Sequence, residues 1–255
     1  MGATILALGL GATAAHAGAV TVQDNYYGGL NTYNGADVIG ASVFDIKDAV
    51  FQRIGAGGNT LKVTIDTNYA GAPGTPAAET TGYGALFLTP GANAWNPVGP
   101  APYSNDVYTP GEWSYALTMP MAPSVASGSA SLYAVNSGTV VMSNVSGDPI
   151  TYPFAGNPGY YFRQGQAVQF TPGQNANPLV TGGWQVNPGQ LVFTINDNHL
   201  LGDNFAFSWA MTCGNDVIQG QVAGIPEPAT WTIMIMGFGG IGAVLRRRRQ
   251  AVALA

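Results

Sequence analysis

Apolar and polar residues alternate along the middle of the chain, most clearly at residues 61–66. The leucine, valine and isoleucine of this segment fall on one face when it is extended, which predicts a half-buried strand of an antiparallel sheet. Similar short apolar segments recur between turns rich in glycine, proline and asparagine. Residues 44–54 are predicted to form either a further strand or a short helix. The remaining predicted strands cover residues 38–46, 61–66, 85–88, 113–119, 131–135, 139–143, 160–163, 167–170, 184–186, 191–195, 205–211 and 216–222.

This series of short strands, without a convincing amphipathic helix, predicts an all-β fold. We expect an antiparallel two-sheet sandwich of the jelly-roll type. Residues 136–138 have the sequence Asn-Ser-Gly and predict a short hairpin between the strands at 131–135 and 139–143. No repeat period is visible, which argues against a solenoid.

The first residues of the chain have the pattern of an export signal. Residues 5–15 are apolar, and Ala15, His16 and Ala17 follow with the small-x-small pattern of a signal peptidase site. We therefore predict a signal peptide over residues 1–17, which signal peptidase removes after Ala17.

A second apolar run, residues 229–245, carries no charge and ends at four arginines, Arg246 to Arg249. Its length is at the lower end of what crosses a bilayer as a helix, so it suits a thin membrane. Trp231 fits the membrane interface, and the arginines stay on the cytoplasmic side. The sequence thus predicts one C-terminal transmembrane helix, with the rest of the chain facing outward.

The C-terminal residues resemble the PEP-CTERM sorting tail of exported proteins of Gram-negative bacteria. The resemblance implies processing by an exosortase at or near the Pro-Glu-Pro motif, followed by delivery to the cell surface or to the exopolysaccharide matrix of a biofilm. The same tail is sometimes called an ice-binding protein C-terminal domain, a name that describes the tail and not the body. The residues that carry the resemblance are Pro226, Glu227, Pro228, Trp231, Gly237, Phe238, Gly239, Arg246, Arg247, Arg248 and Arg249.

The sequence therefore divides into a signal peptide at residues 1–17, a β-sandwich body at 18–225 and a sorting tail at 226–255. The body more weakly resembles other exported proteins that carry this tail. Segments like residues 43–46 open their domain, and segments like residues 207–218 close it. This resemblance implies that the last strand lies close to the first, which would place the tail at an edge of the sandwich.

Charge limits the classes of partner. The whole chain has a formal net charge of −5, with 13 acidic and 8 basic residues. Leaving out Glu227 and the four tail arginines gives the body 12 acidic and 4 basic residues, and thus a net charge of −8. Nucleic-acid binding requires a basic face, so nucleic acid is not an expected partner.

Aromatic residues are the candidate ligand contacts. Trp95, Tyr103 and Tyr108 lie in the long loop at residues 90–111, and loops of that length are usually functional or mobile. Together with Trp184 they are candidates for stacking against sugar rings. The alternative is that all four pack against the ends of the sandwich.

Three acidic residues in polar turns, Asp197, Asp203 and Asp216, are candidate ligands of a structural Ca²⁺ ion, although their spacing is not that of an EF-hand. No other cofactor is predicted.

Candidate catalytic residues are few. His199 is the only histidine of the body and lies in an Asn-Asp-Asn-His segment that predicts a turn. Cys213 is the only cysteine, which excludes an intrachain disulfide and favours a buried thiol, with an intermolecular disulfide as the alternative. Glu79 and Glu112 are the only glutamates of the body.

We accordingly expect no enzymatic activity. The sequence favours an exported, exosortase-processed protein with a structural or adhesive role at the cell surface or in the exopolysaccharide matrix. The alternative is a carbohydrate-binding module that uses the loop aromatics. A surface glycoside hydrolase, which needs only two suitably placed carboxyl groups, and an ice-binding protein come third.

Overall fold

The structure is a computed structural model, and it describes residues 18–29, 36–39, 42–71, 81–119, 125–143, 163–225 and 238–239. The predicted signal peptide, with Ala15 and Ala17, lies outside these ranges. So does the sorting tail, except for Phe238 and Gly239. No helix within the described ranges has the length and apolar character needed to cross a membrane.

The predicted all-β, antiparallel fold is confirmed, because every pair of neighbouring strands is antiparallel. The strands of the described residues are β1 (Ala19–Gln23), β2 (Ile46–Ile54), β3 (Thr60–Thr67), β4 (Leu86–Pro90), β5 (Tyr115–Thr118), β6 (Ser127–Ala134), β7 (Gly138–Met142), β8 (Ala167–Pro172), β9 (Val180–Asn187), β10 (Gln190–Ile195), β11 (Phe205–Ala210) and β12 (Val217–Val222).

Ten of these strands form one large sheet in the order β1-β2-β3-β10-β9-β6-β5-β4-β11-β12, and β7 and β8 form a second sheet. The large sheet curls until its two outer strands come close together. The N–H of Ile46, at the start of β2, donates a hydrogen bond of 2.6 Å to Asp216 Oδ2, just before β12. The last strand thus lies beside the first two, at an edge of the sheet.

The main core fills the inside of the curled sheet. In β3, Leu61, Val63 and Ile65 are fully buried, and the residues between them are half-exposed, as the alternation predicts. Phe51 of β2 packs against Phe207 of β11 with ring centroids 4.6 Å apart. Removal of this apolar surface from water, at roughly 25 cal/mol per Å², is the main force that closes the sheet.

The second sheet covers part of the outer face of the large sheet. Phe170 of β8 packs with Phe87, Ala116 and Ala206, which come from β4, β5 and β11. Because β11 is covered on both faces, all six of its residues are buried. A strand of this kind has a continuous apolar sequence instead of an alternating one.

The predicted hairpin at residues 136–138 does not form. β6 pairs with β5 and β9, so both of its edges are occupied, and β7 pairs with β8 in the other sheet. The intervening residues Val135–Ser137 form a 3-10 turn, in which Ser137 Oγ donates to Ala134 O at 2.6 Å. The turn therefore carries the chain from one sheet to the other.

Candidate functional site

The two outer strands of the large sheet, β1 and β12, lie side by side without pairing. Among the described strands, β1 pairs with β2 alone and β12 pairs with β11 alone. A Cβ atom added to Gly220 of β12 would stand 2.8 Å from Val22 Cγ1 of β1, so the two strands approach closely there. We call this junction the seam. Among the residues that the structure describes, the peptide groups along its two facing edges have no ladder partner.

An open groove of about 540 Å³ follows the seam, and we call it the seam groove. Residues 20–23 of β1 line one side, and residues 219–221 of β12 line the other. Successive side chains of a strand point to opposite faces, so consecutive lining residues mean that the edges of both strands face the groove. The groove thus offers main-chain as well as side-chain groups to a ligand.

The long loop between β4 and β5 is attached to both sides of the seam. Gln221 of β12 donates from Nε2 to Gly91 O at 2.9 Å and accepts from the N–H of Trp95 at 3.1 Å. On the other side, the N–H of Tyr27 donates to Pro102 O at 2.8 Å. These bonds hold the loop over one end of the seam groove.

Two of the predicted aromatic residues meet in this loop. Trp95 and Tyr103 both line the seam groove, and their ring centroids are 5.1 Å apart with an interplanar angle of 75°. Tyr103 also stacks on Tyr26 at 6.1 Å. Trp95 and Tyr103 are half-buried, so part of each ring remains open to the groove. They form an apolar wall beside the amide side chains of the seam.

A network of buried polar groups supports the groove from below. The hydroxyl of Tyr26 donates to Asp106 Oδ2 at 2.7 Å, and Gln166 Nε2 donates to Asp106 O at 2.9 Å. Gln219 of β12 joins the network by donating from Nε2 to Gln166 Oε1 at 3.0 Å. Burial, and then the charge of Asp106, raise the pKa of Tyr26 far above its usual value. Tyr26 consequently remains a hydrogen-bond donor at all physiological pH values.

The other two predicted aromatic residues lie elsewhere. Trp184 is only 3% exposed and packs in the main core, where its ring centroid is 6.3 Å from that of Tyr83. Tyr108 packs against the core between the two sheets. Trp95 packs against the same core as Tyr108, but only Trp95 and Tyr103 of the four predicted residues line the seam groove.

A cluster of three carboxylates lies at one end of the seam. Asp24 directly follows β1, Asp216 directly precedes β12, and Asp37 lies on the segment 36–39; one oxygen of each is within 4.8 Å of the others. Burial, and then the charges of the neighbouring carboxylates, raise the pKa of both Asp24 and Asp216 well above the usual range. Burial raises the pKa of Asp37 to about 6. We call these three residues the carboxylate cluster.

Arg163 holds together the chain segments that carry the cluster. Its guanidinium is fully buried and donates from Nη1 to Gly28 O at 2.8 Å, from Nη2 to Asp37 O and from Nε to Gly214 O at 3.2 Å. Each of these carbonyls lies on a segment that bears one of the three carboxylates. The N–H groups of Arg163 are thus used by main-chain oxygens, and none of its nitrogens lies within 4.0 Å of a carboxylate oxygen of the cluster.

The predicted calcium ligands are not brought together. Asp197 accepts from Arg53 Nη1 at 2.5 Å and from the N–H of Leu201 at 3.3 Å, so both of its oxygens are used. Asp203 lies 3.8 Å from Arg53 Nε. Asp216 belongs instead to the carboxylate cluster, with Asp24 and Asp37 as its neighbours.

His199 and Cys213 occupy structural positions. His199 lies in the turn before β11 with a φ of 61°, and its Nε2 is 2.9 Å from Gly57 O. Cys213 is 8% exposed in the main core, and burial raises the pKa of its thiol to about 11.

Comparison with known proteins identifies the C-terminal tail. Residues 224–249 match the family model of the PEP-CTERM protein-sorting motif. No curated protein and no solved structure matches the chain. The predicted PEP-CTERM tail is thereby confirmed, and it implies that the chain is exported, processed by an exosortase and sorted to the cell surface.

Proposed function

We propose that this exported, exosortase-sorted surface protein is a non-catalytic adhesive component of the cell surface or exopolysaccharide matrix. In this proposal it holds neutral polysaccharide in the seam groove. The observation that carries the proposal is the pairing of Trp95 and Tyr103 beside an open groove whose other walls are uncharged.

The chemistry of the groove suits a sugar chain. The flat face of an aromatic ring covers the apolar face of a pyranose. Pairs of aromatic rings gain about 1 kcal/mol beyond the buried area, and we take the same magnitude for a ring stacked on a sugar. Gln23 and Asn25 add exposed amides at the rim, and amides both donate to and accept from hydroxyl groups. The unpaired edges of β1 and β12 add main-chain donors and acceptors of the same kind.

The lining of the groove favours binding without turnover. Acid–base cleavage of a glycosidic bond uses two carboxyl groups that flank the bond. The described residues that line the groove carry amide, aromatic, hydroxyl and aliphatic side chains and no carboxylate. Asp24 lies between two lining residues, but its carboxylate belongs to the carboxylate cluster.

The test measures retention of the full chain, in detergent, on the exopolysaccharide of the producing organism. Trp95→Leu keeps an apolar side chain and removes the ring. Tyr103→Asn removes the other ring with a residue that tolerates the φ of 65° at this position. We expect each variant to bind about fivefold more weakly, since each loses one stacking contact. Tyr108→Leu, outside the groove, is the matched control and should bind like the unsubstituted chain.

Equal retention of the Trp95 and Tyr103 variants and the unsubstituted chain would remove the binding part of the proposal. The non-catalytic part has its own assay, which is incubation with the same polysaccharide followed by measurement of new reducing ends. We expect no increase. An increase that depends on the folded chain would instead favour a glycoside hydrolase.

A further inference from the structure

We propose that Asp24, Asp37 and Asp216 bind a Ca²⁺ ion that joins the two edges of the large sheet. This site is separate from the proposed polysaccharide contact, because the ion would lie among the carboxylates and not against the aromatic wall. Binding of the ion can therefore be measured without any polysaccharide.

The first argument is that buried oxygens of the cluster lack donors. Asp24 Oδ2 and Asp37 Oδ1 each have less than 1 Å² of exposed surface, and neither has a hydrogen-bond partner in the part of the chain that the structure describes. A buried carboxylate oxygen without a partner costs several kcal/mol unless a cation compensates for it. Since both atoms belong to residues whose carboxylates converge within 4.8 Å, one cation can compensate for both.

Asp48 Oδ1 and Asp203 Oδ1 also lack a hydrogen-bond partner, but neither residue belongs to a group of three converging acids among the described residues. Two fully buried acids outside the cluster, Asp106 and Asp197, use both of their oxygens. Asp106 accepts from Tyr26 on Oδ2 and from the N–H of Val98 on Oδ1. Asp197 accepts from Arg53 on Oδ1 and from Leu201 on Oδ2. Within the cluster, Asp216 also uses both oxygens, which accept from the N–H groups of Ile46 and Val217. The unused oxygens are those of Asp24 and Asp37.

A second, independent observation concerns a neighbouring amide. Asn215 is 1% exposed, and neither its Oδ1 nor its Nδ2 has a partner among the described residues. Its main-chain oxygen accepts from the N–H of Ile39 at 2.8 Å, which ties the segment of Asp37 to that of Asp216. A buried amide oxygen without a donor is a further group of the type that Ca²⁺ binds.

Charge also favours a divalent cation. The three carboxylates carry three negative charges when ionised, and Arg163 supplies one positive charge nearby. Because the N–H groups of Arg163 are used by the carbonyls of Gly28, Asp37 and Gly214, it orders the segments without pairing directly with the carboxylates. One Ca²⁺ ion would neutralise the two remaining charges.

The chemical type of the ligand atoms in the carboxylate cluster favours Ca²⁺ over other metal ions. It consists of oxygens, whereas Zn²⁺ and copper sites use histidine or cysteine. Ca²⁺–O distances of about 2.3–2.6 Å put oxygens on opposite sides of the ion about 4.6–5.2 Å apart, which fits the spread of the cluster. Asp216 is already oriented by the N–H groups of Ile46 and Val217, and Asp24 by that of Tyr26.

The position of the site indicates what the ion does. Asp24 ends β1 and Asp216 begins β12, and these strands are not joined by a ladder. A shared ion would link the two edges at one end of the seam. We therefore expect Ca²⁺ to stabilise the closed form of the large sheet.

The test uses the full chain in detergent after removal of divalent ions with a chelator. We expect CaCl₂ to titrate one site by calorimetry and to raise the Tm by about 5 °C or more at saturation. Asp37→Asn keeps the shape of the side chain, and it should weaken Ca²⁺ binding at least tenfold. Asp216→Asn should have the same effect. Asp203→Asn, a half-exposed carboxylate beside Arg53, is the matched control and should bind Ca²⁺ normally.

The proposal is overturned by the absence of heat and of a Tm shift with 10 mM CaCl₂ in the unsubstituted chain. It is equally overturned if Asp37→Asn keeps the full shift, or if Asp203→Asn alone removes it. MgCl₂ is the comparison ion, and an equal response to MgCl₂ would overturn the assignment to Ca²⁺. The Asp37→Asn variant keeps the test decisive if Asp216→Asn fails to fold.

Discussion

Arg53 and Asp197 form an ion pair of 2.5 Å in which neither side chain is exposed to solvent. Arg53 also donates from Nη2 to Gly202 O at 2.5 Å, so one guanidinium fixes both ends of the turn that precedes β11. With Arg163, it is one of two fully buried arginines among the described residues.

The first prediction concerns the contribution of this ion pair to stability. Arg53→Met should lower the free energy of unfolding by about 3–5 kcal/mol, because it leaves the Asp197 carboxylate buried and unpaired. The double variant Arg53→Met/Asp197→Leu should recover part of the loss. Urea unfolding followed by tryptophan fluorescence measures both. Lys62→Met, at a half-exposed cation, is the control, and a similar loss in that variant would contradict the special role of the buried pair.

A second prediction tests contact across the seam. Gly220→Ala places a Cβ 2.8 Å from Val22 Cγ1 and should cost about 1 kcal/mol, since the valine must move. Val22→Ala removes that obstacle, so the double variant should lose less stability than the sum of the two single variants. Additive losses would mean that β1 and β12 do not meet at these residues.

A third prediction concerns pH. Burial raises the pKa of Glu112 to about 7 from 4.5, and the charge of Asp106 contributes to the increase. Because the pKa is higher in the folded state, the stabilising contribution of Glu112 is complete below about pH 4.5 and is lost as the pH rises through 7. Glu112→Gln should therefore stabilise the protein at pH 8, by ~1 kcal/mol after allowance for solvent screening, and should give no gain at pH 4. A gain of the same size at both pH values would contradict this assignment.

A fourth prediction concerns the thiol of Cys213. Its burial and its pKa of about 11 leave almost no accessible thiolate at pH 8. Ellman's reagent should consequently react slowly with the native chain and rapidly after denaturation. Complete reaction of the native chain within minutes would show that the core opens around this residue.

Most strand positions were predictable from the sequence, whereas strand partners were not. The strand predicted at residues 38–46 is wrong, because Ser42–Phe44 form a 3-10 helix and β2 begins only at Ile46. The alternation at residues 61–66 was informative because one face of β3 is buried and the other is half-exposed. β1 was not predicted, since it is short and half-exposed and follows the apolar run of the predicted signal peptide. The prediction of a hairpin at residues 136–138 was wrong, because the pairing of a strand depends on contacts with residues that are distant in the sequence.

The candidate site was predictable only where its residues are close in sequence. Trp95 and Tyr103 meet because one loop carries both. Asp216 was a candidate ligand, but its proximity in sequence to Asp197 and Asp203 suggested the wrong neighbours. Closure of the sheet brings Asp24 and Asp37 to it from the other end of the chain. No local sequence pattern predicts that these three residues lie close together.

Hydrogen exchange of the full chain, with oligosaccharides cut from the producer's own exopolysaccharide, tests the central claim that the seam groove holds polysaccharide. We predict slower exchange of the edge amides of residues 20–23 and 219–221 and of the loop around Trp95 and Tyr103, with no change in β7 and β8. Protection confined to β7 and β8, or no protection under conditions in which the oligosaccharide binds, would contradict it.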